Sequence, residues 1–198
     1  MTRGRWLRRG LAPILAAGLL VGAGCSGEQG TGDKGYVSLD GNLLTVAPAD
    51  RGAPIAYAGV DLEGQPLDLA DLRGKPTVVM VWGAWCGPCR KEAPELSTIA
   101  RQYADRVNFV GLNVRDPTTA RPLALARSAE MPYRSWHEPE GRALLAFRGT
   151  LTPSSVPAIV LLDSEGRAAA AILGPYPSVR TVTSLIDDAL AEAGGAGG

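Results

Sequence analysis

Two cysteines separated by two residues, Cys86 and Cys89, are the residues of this 198-residue chain best suited to chemistry. On the first turn of a helix this spacing brings the two sulfurs close enough to form a disulfide. A thiol at a helix N-terminus ionises readily, because free N–H groups and the helix dipole stabilise the thiolate. The spacing therefore predicts reversible redox chemistry with Cys86 as the nucleophile.

Other uses of two cysteines at this spacing find less support. A structural zinc site needs about four Cys or His ligands, and only Cys25 and His137 remain in the chain. Covalent haem attachment requires a His directly after the second cysteine, where Arg90 stands. A purely structural disulfide remains an alternative, although a disulfide that closes so short a loop gains little entropic stabilisation. We expect no metal and no cofactor, and a solvated His137 rather than a ligand or proton shuttle.

The residues on both sides of the cysteines predict the strand and the helix that position them. Residues 77–82 are almost all β-branched or aromatic, which predicts a strand buried on both faces. A helix is expected from the cysteines to about Tyr103, with Leu96 and Ile99 facing the sheet and Pro94 bending it. The cysteines thus stand where a buried strand turns into a helix.

The remaining apolar patterns predict an α/β domain. A hairpin is expected from strands at 56–60 and 65–69, and Asp71 is expected to cap a helical turn after it. Further strands are predicted at 107–114, 158–162 and 167–173, and helices at 120–129, 140–147 and 181–193. Residues 131–139, with Trp136 and His137, are interpreted as a loop. The strand–helix–strand order implies a right-handed crossover.

The N-terminal region has the features of an export signal. Residues 1–24 contain four Arg, an apolar run at 11–21 and small residues before Cys25. The run is shorter than the ~20 residues that span a bilayer, so we expect cleavage rather than a retained anchor. The end of the signal resembles a bacterial lipoprotein box, which implies lipidation of Cys25, although Gly22 replaces the usual aliphatic residue. Arg8 and Arg9 also permit twin-arginine export.

These patterns predict four segments. Residues 1–24 are the export signal, 25–53 the lipidation site, a flexible tether and an irregular arm or short edge strand, 54–193 the folded domain, and 194–198 a disordered tail. The chain has 20 basic and 20 acidic residues, and loss of residues 1–24 moves its formal charge from 0 to −4. A mildly acidic mature domain argues against a nucleic-acid partner.

The motifs together resemble the thioredoxin superfamily. The W-C-G-P-C turn at residues 85–89, the Val156-Pro157 pair before a strand, and the terminal hairpin and helix are similar to thioredoxin. The added hairpin, the helical segment between residues 114 and 156, and the run C-R-K-E-A-P from Cys89 resemble the extracytoplasmic TlpA/ResA-like branch. Over residues 54–193 the resemblance implies a thioredoxin-like fold, a central mixed sheet flanked by helices with an N-terminal β-hairpin and a central helical insertion.

The resemblance also implies roles for individual residues. Pro157 is expected to be a cis-proline beside the disulfide, with Pro153 a competing candidate, and the Val156 backbone to pair with an extended substrate. Glu92 matches a family acid that could accept a proton near Cys89, although a solvent-facing carboxylate fits the pattern equally well. Met80 stands where the family commonly has a buried Asp or Asn. The implied substrate-binding residues are Trp85, Gly87, Pro88, Val156 and Pro157.

By this resemblance the protein is a membrane-anchored thiol–disulfide oxidoreductase, in which Cys86 attacks a substrate disulfide and Cys89 resolves the mixed disulfide. The implied substrates are disulfide-containing exported proteins such as apocytochrome c during cytochrome c maturation. A membrane thiol-electron donor would recharge the protein, which is expected to be a monomer lipid-anchored to the outer face of a bacterial membrane. Two alternatives remain: an envelope oxidase that forms disulfides, and a non-enzymatic copper- or redox-responsive binding lipoprotein.

Overall fold

The computed structural model describes residues 36–39 and 42–195. The predicted export signal, Cys25 and the tether lie outside these residues. A seven-stranded mixed sheet has the order β1-β2-β9-β8-β5-β6-β7, and β3 and β4 form a separate hairpin. The strands are β1 (Tyr36–Leu39), β2 (Leu43–Val46), β3 (Ala58–Val60), β4 (Pro66–Asp68), β5 (Thr77–Trp82), β6 (Asn108–Val114), β7 (Ser135–Glu138), β8 (Ala158–Leu162) and β9 (Ala168–Leu173).

In the residues that the structure describes, three α-helices flank this sheet: α1 (Gly87–Tyr103), α2 (Ala120–Ser128) and α3 (Val179–Gly195). Short 3₁₀ helices cover Pro48–Asp50, Leu69–Leu72 and Arg142–Phe147. None of the helices in the described part of the chain is long and apolar enough to cross a membrane. The predicted α/β class, a mixed sheet flanked by helices, is confirmed.

The central strand β5 is buried along its whole length and holds the two layers together. It pairs in parallel with β6 and antiparallel with β8. Val79 and Val81 join one hydrophobic cluster with Phe147 from the 3₁₀ helix, whereas Val78 and Met80 join a second cluster with residues of α1 and α3. Because β5 is covered on both faces, its C-terminal end delivers the chain to one defined place at the sheet edge.

The interpretation of residues 131–139 as a loop is wrong for four of them. Ser135–Glu138 form β7, which pairs in parallel with the end of β6. Trp136 is completely buried, and its indole N–H donates to the carbonyl of Leu67 in the hairpin at 2.8 Å. β7 forms one edge of the sheet and joins the β3–β4 hairpin to the domain.

The N-terminal arm is more regular than predicted. β1 and β2 form a hairpin that pairs with β9 and extends the sheet. Arg51, whose side chain is 5% exposed, reaches Asp163 at 3.3 Å and Glu192 at 2.7 Å. The arm therefore packs on the domain through Arg51. Of the two alternatives predicted for it, an irregular arm or a short edge strand, the strand describes residues 36–39 and 43–46.

Three element ends also differ from the sequence predictions. The helical turn Leu69–Leu72 is capped by Asp68, whose carboxylate accepts from Ala70 N–H at 2.8 Å, and not by Asp71. The helix predicted at 140–147 is a 3₁₀ helix that begins at Arg142. α3 continues through Gly195, so the predicted start of a disordered tail at residue 194 is wrong.

Candidate redox site

Cys86 and Cys89 form a disulfide, with a sulfur–sulfur distance of 2.06 Å, where β5 turns into α1. Cys86 is the N-cap of α1, and its Sγ accepts a hydrogen bond from the Cys89 backbone N–H at 3.2 Å. Pro88 lies in the first turn, where its missing N–H costs nothing. Each cysteine is only 4% exposed. The helix N-terminus thus presents its free N–H group to the sulfur that the sequence predicts to be the nucleophile.

Trp85 directly precedes Cys86 and is 40% exposed. Its indole N–H donates to the carbonyl of Val114 at 2.9 Å, which turns the ring back over the end of β6. Gly83 makes this possible, because a Cβ at that position would lie 2.4 Å from the indole nitrogen. The side chain is both anchored and available for contact.

The segment before β8 forms the facing wall. The Val156–Pro157 peptide bond is cis, and Pro157 lines the same pocket as Cys89. Val156 packs against the hydrophobic cluster that contains both cysteines. The structure therefore brings Val156 and Pro157 to the disulfide, whereas the competing Pro153 lies four residues upstream in an exposed turn.

Glu92 lies one turn into α1 and lines that pocket together with Cys89 and Pro157. Burial raises the pKa of its carboxyl, the nearby Glu95 adds to the effect, and a hydrogen bond from the Tyr176 backbone N–H opposes it. Met80, 3% exposed, contributes an apolar side chain to the wall of the same pocket. Glu92 is thus the carboxyl that shares this pocket with the second cysteine.

Comparison with known proteins places this site in a family. Residues 50–171 match the model of the AhpC/TSA family, which is more than half of the chain. The chain belongs to the AhpC/TSA family. It is 28% identical over 119 residues to the thiol-disulfide oxidoreductase ResA of Bacillus cereus, covering 60% of this chain and 66% of ResA, just under two thirds.

Two further known proteins are similar to a larger share of the chain. The thiol:disulfide interchange protein HelX of Rhodobacter capsulatus is 30% identical over 183 residues, 90% of this chain and 96% of HelX. A crystal structure of a DsbF homologue from Corynebacterium diphtheriae superposes with a TM-score of 0.70 and 26% identity, over 74% of this chain and 92% of that one. The recognised resemblance is confirmed at the level of the family, and both curated relatives carry names of thiol–disulfide exchange proteins.

Apolar side chains that sequence reasoning missed surround the disulfide of this AhpC/TSA-family protein. Leu62 from the N-terminal hairpin lies in one cluster with Trp82 and both cysteines. Leu123 and Leu125 of α2 and Met131 after it pack against that cluster. A leucine in a hairpin turn has no local pattern that marks it, so only the folded chain shows that the hairpin and the inserted helix wall the site.

A buried polar network behind the disulfide was also missed. The Asp116 carboxylate accepts hydrogen bonds from Ala84 N–H at 2.7 Å and from the Asn113 amide at 2.8 Å. The imidazole of His137 donates from Nε2 to the Asp116 carbonyl at 2.9 Å, so this histidine is half-buried and bonded rather than solvated. Within the described residues no group of three or more His, Cys, Asp and Glu side chains is placed to hold a metal ion.

Proposed function

We propose that this protein is a thiol–disulfide oxidoreductase of the cell envelope that reduces disulfides in exported proteins. The observation that carries the proposal is the position of Cys86 as N-cap of α1, with its sulfur accepting the Cys89 N–H at 3.2 Å. A thiolate at this position is stabilised by the same N–H group and by the helix dipole. In the reduced protein Cys86 is therefore the nucleophile.

The exchange transfers two electrons in two displacements. The Cys86 thiolate attacks one sulfur of the substrate disulfide, forms a mixed disulfide and releases the other substrate sulfur as a thiolate, which takes a proton from water. Cys89 then loses its proton and attacks the Cys86 sulfur, which releases the second substrate thiolate. The protein ends with the Cys86–Cys89 disulfide, and the substrate ends with two thiols.

Glu92 is proposed as the acceptor of the Cys89 proton. It lines the pocket that Cys89 also lines, and burial raises the pKa of its carboxyl. A carboxylate with a raised pKa takes up a proton closer to neutral pH than an exposed one. Met80 provides no alternative acceptor in that pocket, so Glu92 and water divide this role.

The substrate is proposed to bind across Trp85, Gly87 and Pro88 on one side and Val156 and Pro157 on the other. An extended chain in this position would lie against the Val156 backbone and the exposed Trp85 ring. Apocytochrome c during cytochrome c maturation is the proposed substrate, as the TlpA/ResA-like resemblance implies. HelX and ResA carry names that describe the same reaction class.

We place the protein outside the cytoplasm as a monomer, lipid-anchored through Cys25 to the outer face of the membrane after removal of residues 1–24. A membrane thiol-electron donor would then return the Cys86–Cys89 pair to the reduced state. Mass spectrometry of the mature protein from a bacterial membrane fraction tests this placement. A diacylglyceryl group on an N-terminal Cys25 supports it, and a mature chain that still begins at Met1 contradicts it.

Insulin reduction tests the proposed chemistry. The wild-type protein with dithiothreitol should precipitate the insulin B chain faster than dithiothreitol alone, and Cys86→Ala should abolish the acceleration. Equal rates of insulin reduction by wild type and Cys86→Ala would contradict the mechanism. Alkylation of cell extracts then tests direction, since a Cys86–Cys89 pair found mainly reduced supports a reductant, and one found mainly oxidised supports the envelope oxidase instead.

A further inference from the structure

Asp116 is a buried carboxylate at the end of β6 that serves the chain around the disulfide. It is 2% exposed, and its Oδ2 accepts from Ala84 N–H at 2.7 Å and from Asn113 Nδ2 at 2.8 Å. A buried carboxylate is costly unless it is hydrogen-bonded. One of its two donors is the backbone of the residue two positions before Cys86, 32 residues away in sequence.

The peptide groups on either side of Ala84 are held from two directions. Its N–H is bound by Asp116, and its carbonyl accepts from the Arg90 guanidinium at 3.0 Å. The N–H of Cys86 donates to the Gly83 carbonyl at 3.1 Å, which closes the turn. The backbone that delivers Cys86 to the helix N-terminus therefore has little freedom to move without breaking a buried hydrogen bond.

Arg115 connects the same turn to the opposite wall of the site. Its backbone is in the left-handed region at φ 59°, and its N–H donates to the Glu138 carbonyl at 3.2 Å. Its guanidinium donates to the carbonyl of Pro153, three residues before Val156. A non-glycine residue adopts this conformation only where the surrounding contacts hold it there.

We propose that the Arg115–Asp116 turn is a positioning element for thiol–disulfide exchange, in which Asp116 fixes the backbone before Cys86 and Arg115 fixes the backbone before Val156. The turn sets the spacing between the attacking sulfur and the wall that holds the substrate. Neither residue touches the reacting sulfurs. The inference rests on the proposed oxidoreductase function for its meaning, but its first test does not require a substrate.

The first test measures alkylation of reduced Cys86 by iodoacetamide between pH 5 and 9. Asp116→Ala removes the acceptor, so the helix N-cap geometry should loosen and the pKa of the Cys86 thiol should rise. The lower thiolate fraction should slow alkylation at pH 6 about threefold. Asp116→Asn keeps an oxygen that can accept from both Ala84 and Asn113, and should react within about 1.5-fold of wild type.

Asp163→Ala is the matched control. Asp163 is also buried and accepts backbone N–H groups, from Glu165 at 3.0 Å and Arg167 at 2.8 Å, but it follows β8 at the end of the sheet away from Cys86. It should lose stability without a change in Cys86 alkylation. If Asp116→Ala does not fold, Asp116→Ser serves, because its shorter side chain withdraws the acceptor. Wild-type alkylation kinetics in the Asp116 variant, or equal slowing in Asp163→Ala, overturns the proposal.

The second test separates the role of Arg115 with insulin as the probe. Arg115→Gly removes the guanidinium without a backbone penalty, since glycine adopts positive φ freely. We expect an about threefold higher KM for insulin with unchanged kcat and unchanged Cys86 alkylation, because the guanidinium holds the substrate wall and not the attacking sulfur. An unchanged KM overturns the Arg115 half. Failure of the wild type to reduce insulin rejects the proposed function, while alkylation still decides the Asp116 half.

Discussion

The backbone N–H of Tyr176 donates a hydrogen bond to Oε1 of Glu92 at 3.2 Å, joining the loop after β9 to the first turns of α1 beside the disulfide. The phenol of Tyr176 also donates to the Glu95 carboxylate. Burial raises the pKa of Glu92 although the Tyr176 N–H lowers it. The pair thus holds a carboxyl that remains able to take up a proton in a fixed position near Cys89.

Replacing Glu92 with Gln should increase stability at high pH and not at low pH. The carboxyl of the unfolded chain ionises near pH 4.5, and that of the folded protein ionises at a higher pH. Between these values the folded state binds more protons, so wild-type stability falls as pH rises through the window and the cost persists above it. Glu92→Gln removes this cost but keeps an oxygen for the Tyr176 N–H.

Urea unfolding of Glu92→Gln and wild type at pH 4 and pH 8 checks this expectation. Glu140 is exposed, so Glu140→Gln serves as the control. Its unfolding free energy relative to wild type should be the same at both pH values. A gain of the same size at both pH values would show that the effect comes from packing rather than from ionisation. Glu92→Gln should also slow resolution of a mixed disulfide by Cys89 if Glu92 accepts the Cys89 proton.

Gly83→Ala should displace Trp85. The new Cβ would lie 2.4 Å from Nε1 and 2.7 Å from Cε2 of the indole, so the ring must move and lose its hydrogen bond to Val114. We expect a loss of about 1–3 kcal/mol in unfolding free energy and a changed tryptophan emission spectrum. Gly52→Ala, where a Cβ meets nothing within 4 Å, is the control. Unchanged emission in Gly83→Ala would count against the packing described.

The parts of the structure that were predictable are those whose cause is local. β5 and α1 follow from a continuous apolar run and a Cys-Gly-Pro-Cys turn, and β8 was predicted at Ala158–Leu162, as observed. β7 was missed because only Trp136 among its four residues is strongly apolar, and pairing with β6 makes it a strand. Asp116 was missed because its partner Ala84 lies 32 residues away.

Trp136→Phe should weaken the attachment of the β3–β4 hairpin to the sheet. The indole is fully buried, donates to the Leu67 carbonyl at 2.8 Å and meets the Tyr57 ring edge-on at 5.2 Å. Phenylalanine retains most of the apolar volume but leaves a half-buried carbonyl without its donor, at a cost of about 1 kcal/mol. Hydrogen exchange should accelerate first in β3 and β4. Uniform acceleration across the domain would contradict a local attachment.

Cys89→Ser should trap the substrate. In this variant Cys86 can still attack a disulfide, because its place as N-cap of α1 and the N–H of residue 89 are unchanged. The mixed disulfide then persists, since no thiol remains to displace the substrate from Cys86. Non-reducing gels of the variant incubated with a disulfide protein should show a stable adduct that dithiothreitol releases. Cys86→Ser is the matched control and should form little adduct, because Cys89 lies inside the first turn of the helix, away from the N-cap position that Cys86 occupies. Comparable adduct from both variants would mean that either sulfur can attack, and the assignment of Cys86 as the nucleophile would have to be abandoned.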